Sequence, residues 1–186
     1  MKKLFFLSGL IAILFLSTGC DKIKELTSTD VNISKVEFKF DEIEIGKSES
    51  TLRAETPNEF ELSHVFSTRD LDSSLLEYSA SYFKKATCKS VSINVYSPTG
   101  KSGNISDLKV ATNVSSISPY LIGSYTLGAT YTDNNLKPFA EKVLFQILTQ
   151  SSVTVEITGE TDLPKGEKLA ATITIDGVVI TVQLLD

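Results

Sequence analysis

Through most of this chain apolar residues fall at every second position. Val36, Phe38 and Phe40 alternate with Glu37, Lys39 and Asp41, which predicts a half-buried strand. The phase then slips to Ile43 and Ile45. That slip predicts a bulge near Asp41-Glu42 or a break into two strands, with Gly46 ending the segment. The same alternation places Phe60, Leu62, His64 and Phe66 on one face, and Val91, Ile93 and Val95 on another. It recurs in Leu108, Val110, Thr112 and Val114, in Tyr125, Leu127, Ala129 and Tyr131, and in Val153, Val155 and Ile157. Near the C-terminus Leu169, Ala171, Ile173 and Ile175 precede Asp176-Gly177, and Val178, Ile180, Val182 and Leu184 follow it. An Asp-Gly pair between two alternating runs predicts a hairpin, ahead of one long strand carrying a glycine bulge.

The period changes twice. Leu71, Leu75, Tyr78, Ser79 and Tyr82 follow helical spacing, with Leu76 and Phe83 widening the stripe and Thr68 or Asp70 able to cap its start. Leu136, Phe139, Ala140, Val143, Leu144, Ile147 and Leu148 predict a second helix. Pro138 lies in its first turn, where a missing N–H is harmless, and Asp133, Asn134 or Asn135 can cap it. Alternating strands pack one face, so their sheets are expected to be antiparallel. The expected fold is mainly β: an antiparallel β-sandwich or curled sheet with two short amphipathic helices over its open ends or edges. The absence of tryptophan and the abundance of Ser, Thr, Val and Ile agree with strands over helices.

The first twenty residues follow a different rule. Lys2 and Lys3 precede an apolar run from Leu4 to Leu16, and small residues lead on to Cys20. Charge, greasy core and small-residue exit are the parts of a secretory signal peptide, and the run is shorter than the ~20 residues a membrane span needs. Ser17-Thr18-Gly19-Cys20 resembles the lipobox of bacterial lipoproteins, with Ser17 where the usual pattern has a branched apolar residue. The resemblance covers only the signal peptide. It implies cleavage before Cys20 and acylation of that cysteine, by palmitate among other chains, through its sulfur and often its amino group. Two or three acyl chains on one residue hold a protein to a membrane where one holds it only marginally. The organisation expected is a removed signal peptide over 1–19, a lipidated polar tether over 20–32 and a single β-rich domain over 33–186.

Cleavage removes 19 of 186 residues and leaves 167, enough for one ordinary core. Without Lys2 and Lys3, 16 basic residues stand against 23 acidic ones, a formal charge of −7. So acidic a chain is a poor partner for nucleic acid, and the expected membrane link is the acyl chains on Cys20. The lipobox resemblance implies a bacterial cell envelope, with the outer membrane or cell surface preferred over the inner membrane. For enterobacteria it implies that Asp21 favours the inner membrane; in other lineages acids after the cysteine mark surface export. With Cys20 acylated, Cys88 has no disulfide partner and reads as a small buried hydrophobe.

No constellation for catalysis is visible. There is no nucleophile elbow, phosphate-cradling loop or metal-ligand cluster, and the one histidine lies on an apolar face. Asp133-Asn134-Asn135 lacks the spaced acids and closing glutamate of a calcium loop. We therefore expect no enzyme, no catalytic residues, no cofactor and no metal, but a binding or structural module with a protein or glycan partner. The loops 97–103, 115–123 and 159–166 are the candidates for contact. The middle one is the most apolar, so Ile117, Tyr120, Leu121 and Ile122 are its candidate contact residues. The alternatives are a carrier of an apolar molecule and a glycosidase-like or other hydrolase working with two acids. The second half, with Thr158-Gly159-Glu160-Thr161-Asp162 between strands, is similar to uncharacterised bacterial lipoproteins of sandwich type.

Overall fold

A computed structural model describes residues 28–46 and 59–183. The expected signal peptide, Cys20 and the first part of the tether lie outside the described residues. Among the described residues, nine strands form two antiparallel sheets, a β-sandwich. The larger sheet has the order β1 (Ser28–Glu44), β9 (Lys168–Gln183), β4 (Ser90–Tyr96), β7 (Tyr131–Thr132), and β3 (Phe83–Thr87) also pairs with β9. The smaller sheet has the order β2 (Glu59–Ser67), β8 (Ser152–Thr161), β5 (Asn104–Thr112), β6 (Tyr120–Thr126). The inner faces carry the expected alternating residues: Phe38, Leu62, Ile93, Leu108, Ile157 and Ile173 are all buried. Phe38 and Phe66 stack across the interlayer at 4.2 Å between ring centroids. Each such side chain contributes roughly 1.5–3 kcal/mol on burial.

Helix α2 (Leu136–Gln150) is wedged between the sheets, against β3 and β4 on one side and β8 and β2 on the other. All seven residues of its predicted stripe are buried. Between helix and sheets there remains a void of about 10 Å³ lined by Phe38, Val110, Phe139 and Ile173 among others. A space of that size admits about one water. That void leaves no room for an apolar ligand between helix and sheets.

The phase slip in β1 is the expected bulge: Phe40 pairs with Ala171 and Ile43 with Leu169, one residue extra on β1. Three expectations are corrected. First, residues 68–83 are not one amphipathic helix. They form a four-residue helix α1 (Thr68–Leu71), two 3-10 turns (Ser73–Glu77 and Ala80–Tyr82) and the start of β3. Asp72 is extended, and its carboxylate accepts from the Ser74 N–H at 2.8 Å, so side-chain bonding replaces the helical ladder. Leu71, Leu75 and Phe83 are buried, whereas Leu76 and Tyr82 face solvent.

Second, Asp176-Gly177 is not a hairpin. β9 runs through it as one strand, paired with β1 in unbroken register from Ser28↔Gln183 to Phe40↔Ala171. The apolar phase of β9 slips between Ile175 and Val178. That of β1 slips opposite, between Val36 and Ile33, and the third chain slips between Val91 and Cys88, where β3 hands over to β4. Three neighbours bend together, and Gly177 at φ +60° provides the bend. Its α-carbon leaves room for Lys89: a Cβ there would lie 2.9 Å from Lys89 Cβ.

Third, the segment 124–132 is not one strand. β6 begins at Tyr120 and ends at Thr126, Gly128 turns the chain at φ +78°, and Tyr131–Thr132 join the other sheet as β7. Two boundaries also shift. Residues 28–32 of the expected tether belong to β1, and β8 extends to Thr161 into the expected 159–166 loop.

Candidate functional site

The four residues singled out in the 115–123 segment do not form one surface. Ile117 is buried, Ile122 packs against the core, and Leu121 alone points outward, 67% exposed. Tyr120 turns inward: its hydroxyl donates to Asp133 Oδ2 at 2.6 Å, and the Tyr131 hydroxyl donates to the same oxygen at 3.0 Å. Asp133 Oδ1 accepts from the Asn135 N–H at 2.8 Å, just ahead of α2. The Tyr120 hydroxyl foremost, then the Asn135 N–H, holds the Asp133 carboxyl below its ordinary range. Burial, followed by Asp133, holds the Tyr120 hydroxyl protonated well above its ordinary range. The group is a structural clamp between β6, β7 and α2.

A different place gathers open polar groups. Asn104, Ser106, Ser124, Thr126, Glu160 and Asp162 line a hollow of about 520 Å³ over β5, β6 and the end of β8. Its shape follows from the backbone. Asp107 adopts φ +52°, and β5 changes register against both β6 and β8 on passing it. The Asn104 N–H donates to Asp162 Oδ1 at 2.7 Å and its side-chain Nδ2 to Oδ2 at 3.1 Å. These bonds, the backbone one first, hold the Asp162 carboxyl below its usual range. Gly103 permits the approach: a Cβ there would sit 2.5 Å from Asp162 Oδ1. Among the described residues, the side chains of Ser106, Ser124 and Glu160 make no hydrogen bond. The lining holds hydroxyls, an amide and two acids, and no lysine or arginine. It therefore suits ligands that donate hydrogen bonds and disfavours phosphate or sulfate.

No family model matches the chain, and no curated protein matches it. Among solved structures, the decameric BFDV capsid protein is similar over 82% of this chain and 99% of its own, at 9% identity and a TM-score of 0.38. The desmodium yellow mottle tymovirus structure is similar over 85% of this chain and 91% of its own, at 10% identity and a TM-score of 0.33. Scores of this size bear on neither family nor function.

The remaining candidate residues occupy structural places. His64 lies at the rim of β2, tilted on Phe66 at 4.7 Å, with Nδ1 3.6 Å from Asp41. Cys88 is buried between β3 and β4, its N–H donating to Glu141 Oε1 at 3.1 Å. Burial first, and then Glu141, pushes its thiol up to about 11. No group of three or more His, Cys, Asp or Glu that could hold a metal occurs among the described residues.

The expected contact loop 159–166 supplies Glu160, Thr161 and Asp162 of the hollow, but the rest of its lining, from β5 and β6, carries no motif. For β5 and β6 the local sign was the polar half of the alternation: Asn104 and Ser106, Ser124 and Thr126. That sign marks any outward face.

Proposed function

We propose that this protein is a lipid-anchored component of the bacterial cell envelope. In this reading its sandwich serves as a binding or structural module and presents the hollow to a protein or glycan. The observation that carries it is the polarity of the domain relative to Cys20. Ser28, the first described residue of β1, stands eight residues after the cysteine in sequence, at the end of the larger sheet where it pairs with Gln183. The hollow belongs to the other end, where Tyr96 pairs with Ala170 and Glu44 with Lys168. Its strands are tied there by the Leu127 N–H to the Gly103 carbonyl and the Gly128 N–H to the Val95 carbonyl. The length of β9 separates the two ends by up to about 50 Å, at ~3.3 Å per residue.

That arrangement suits an anchored receptor or scaffold: lipid at one end, polar groups open at the other. Among the described residues Cys88 is a free, buried thiol and no disulfide joins the strands. No catalytic role is assigned, because Glu160 and Asp162 occupy a wide open face and Asp162 is already held by Asn104. Membrane fractionation of cells producing the chain and its Cys20→Ser variant tests the reading. The parent chain should sediment with membranes and incorporate a labelled palmitate, and the variant should be soluble and unlabelled. A Cys20→Ser chain that stays fully membrane-bound would overturn it.

A further inference from the structure

The end of the sandwich nearest Cys20 carries an unusual surface. Phe83, the first residue of β3, pairs with Val182, beside the Ser28↔Gln183 pair that opens β1. The segment just before Phe83 therefore lies at the same end as Ser28, the described residue nearest Cys20 in sequence. It is the segment whose helical stripe fails, and two of its large residues face outward: Leu76 is 52% exposed and Tyr82 37%. Tyr78 is half-buried and meets Phe83 edge-on at 6.2 Å. Lys84 and Lys85 follow, both exposed, with Lys84 Nζ donating to the Ser81 carbonyl at 3.1 Å. Glu77 is the nearest acid in sequence, and from residue 78 to 106 this acidic chain has four lysines and no Asp or Glu. Asp30 lies across β9, paired with the Thr181 that also pairs with Lys85.

We propose that Leu76, Tyr82, Lys84 and Lys85 form a lipid-contact surface that seats the domain upright on the membrane; this rests on the lipid-anchor reading above. The reach of the chain supports it. Eight residues, fully extended, span at most about 29 Å, so this end stays within one domain diameter of the acyl chains on Cys20. An exposed leucine and a tyrosine with a polar tip suit the interface between headgroups and acyl chains. Two lysines beside them suit anionic headgroups, in a chain of net negative charge. The surface turns the hollow of Asn104 and Asp162 away from the lipid.

The chain has no tryptophan, so single tryptophans report position. Tyr82→Trp and Leu76→Trp place a reporter on the proposed surface. Tyr96→Trp places one at the opposite end, at the same 37% exposure as Tyr82. Each acylated full-length variant is reconstituted into vesicles of phosphatidylethanolamine and phosphatidylglycerol with brominated acyl chains. The reporters at 82 and 76 should be quenched more strongly than the one at 96, on the order of threefold, and shifted to the blue. The difference should shrink in vesicles without phosphatidylglycerol or after Lys84→Glu with Lys85→Glu. Proteins that float with the vesicles but show equal quenching at both ends would overturn the surface and leave the anchor standing. A blue shift that follows protein concentration and not lipid would assign the patch to a second copy and also overturn it. Proteins that do not float with vesicles would overturn the anchor and the surface together.

Discussion

Replacing Gly177 by alanine probes the feature that departs most from local expectation, the concerted bend of β9, β1 and the β3–β4 junction. Gly177 sits at φ +60°, where an L-residue costs roughly 1–2 kcal/mol. The added Cβ would lie 2.9 Å from Lys89 Cβ, close to a backbone, and crowding of that kind adds up to about 1 kcal/mol. Gly177→Ala should therefore destabilise the domain by about 2 kcal/mol, a fall in Tm of roughly 4–8 °C for a domain of this size. Urea unfolding of the unacylated Cys20→Ser chain, followed by circular dichroism, measures it. The decisive version is a double-mutant cycle with Lys89→Gly. If β9 is one strand passing Lys89, removing that side chain recovers about 0.5–1 kcal/mol of the alanine cost. A hairpin tip would hold no such neighbour, and the two substitutions would then add. Strict additivity, or no loss of stability from Gly177→Ala, refutes the bent-strand account.

Other consequences are as direct. Leu144→Ala removes a fully buried side chain of α2 between the two sheets and should cost about 2–5 kcal/mol by chemical denaturation. The Cys88 thiol, pushed up to about 11, should react with a disulfide reagent at pH 8 about 100-fold more slowly than a free cysteine until the domain is unfolded. Stoichiometric labelling of the folded protein within minutes would contradict its burial. Asp133 is held below its ordinary range, so its contribution is complete above the unfolded value, near 4, and is lost as pH falls through the lower folded value. Acid unfolding curves of the parent and of Asp133→Asn should accordingly converge below that range and separate above it. Tyr120→Phe should reduce that pH-dependent difference, because its hydroxyl is the first cause of the shift, and the Asn135 N–H should retain a remainder.

The elements legible in the sequence were those whose pattern is long and self-sufficient. α2 carries four turns of one apolar stripe, and all seven of its expected residues are buried. β2 and β8 alternate cleanly and are strands over the expected stretch. The 68–83 stripe has the right period, but Asp72 and its serines offer the backbone competing hydrogen bonds, and the chain breaks into short turns. Asp176-Gly177 misleads for the opposite reason. The three-residue gaps Ile33–Val36, Cys88–Val91 and Ile175–Val178 are all visible in the sequence, yet they acquire meaning only once those chains are known to be neighbours. The hollow depends on a bulge at Asp107 and on three strands meeting, neither of which leaves a local mark.

The account turns on Cys20 as the first residue of the mature protein and its acylated anchor. Mass spectrometry of protein purified from membranes tests this directly. It predicts an N-terminal tryptic peptide Cys20-Asp21-Lys22 carrying a diacylglyceryl thioether, with no peptide from residues 1–19. A mature chain that retains residues 1–19, or one whose Cys20 carries no lipid, would contradict it.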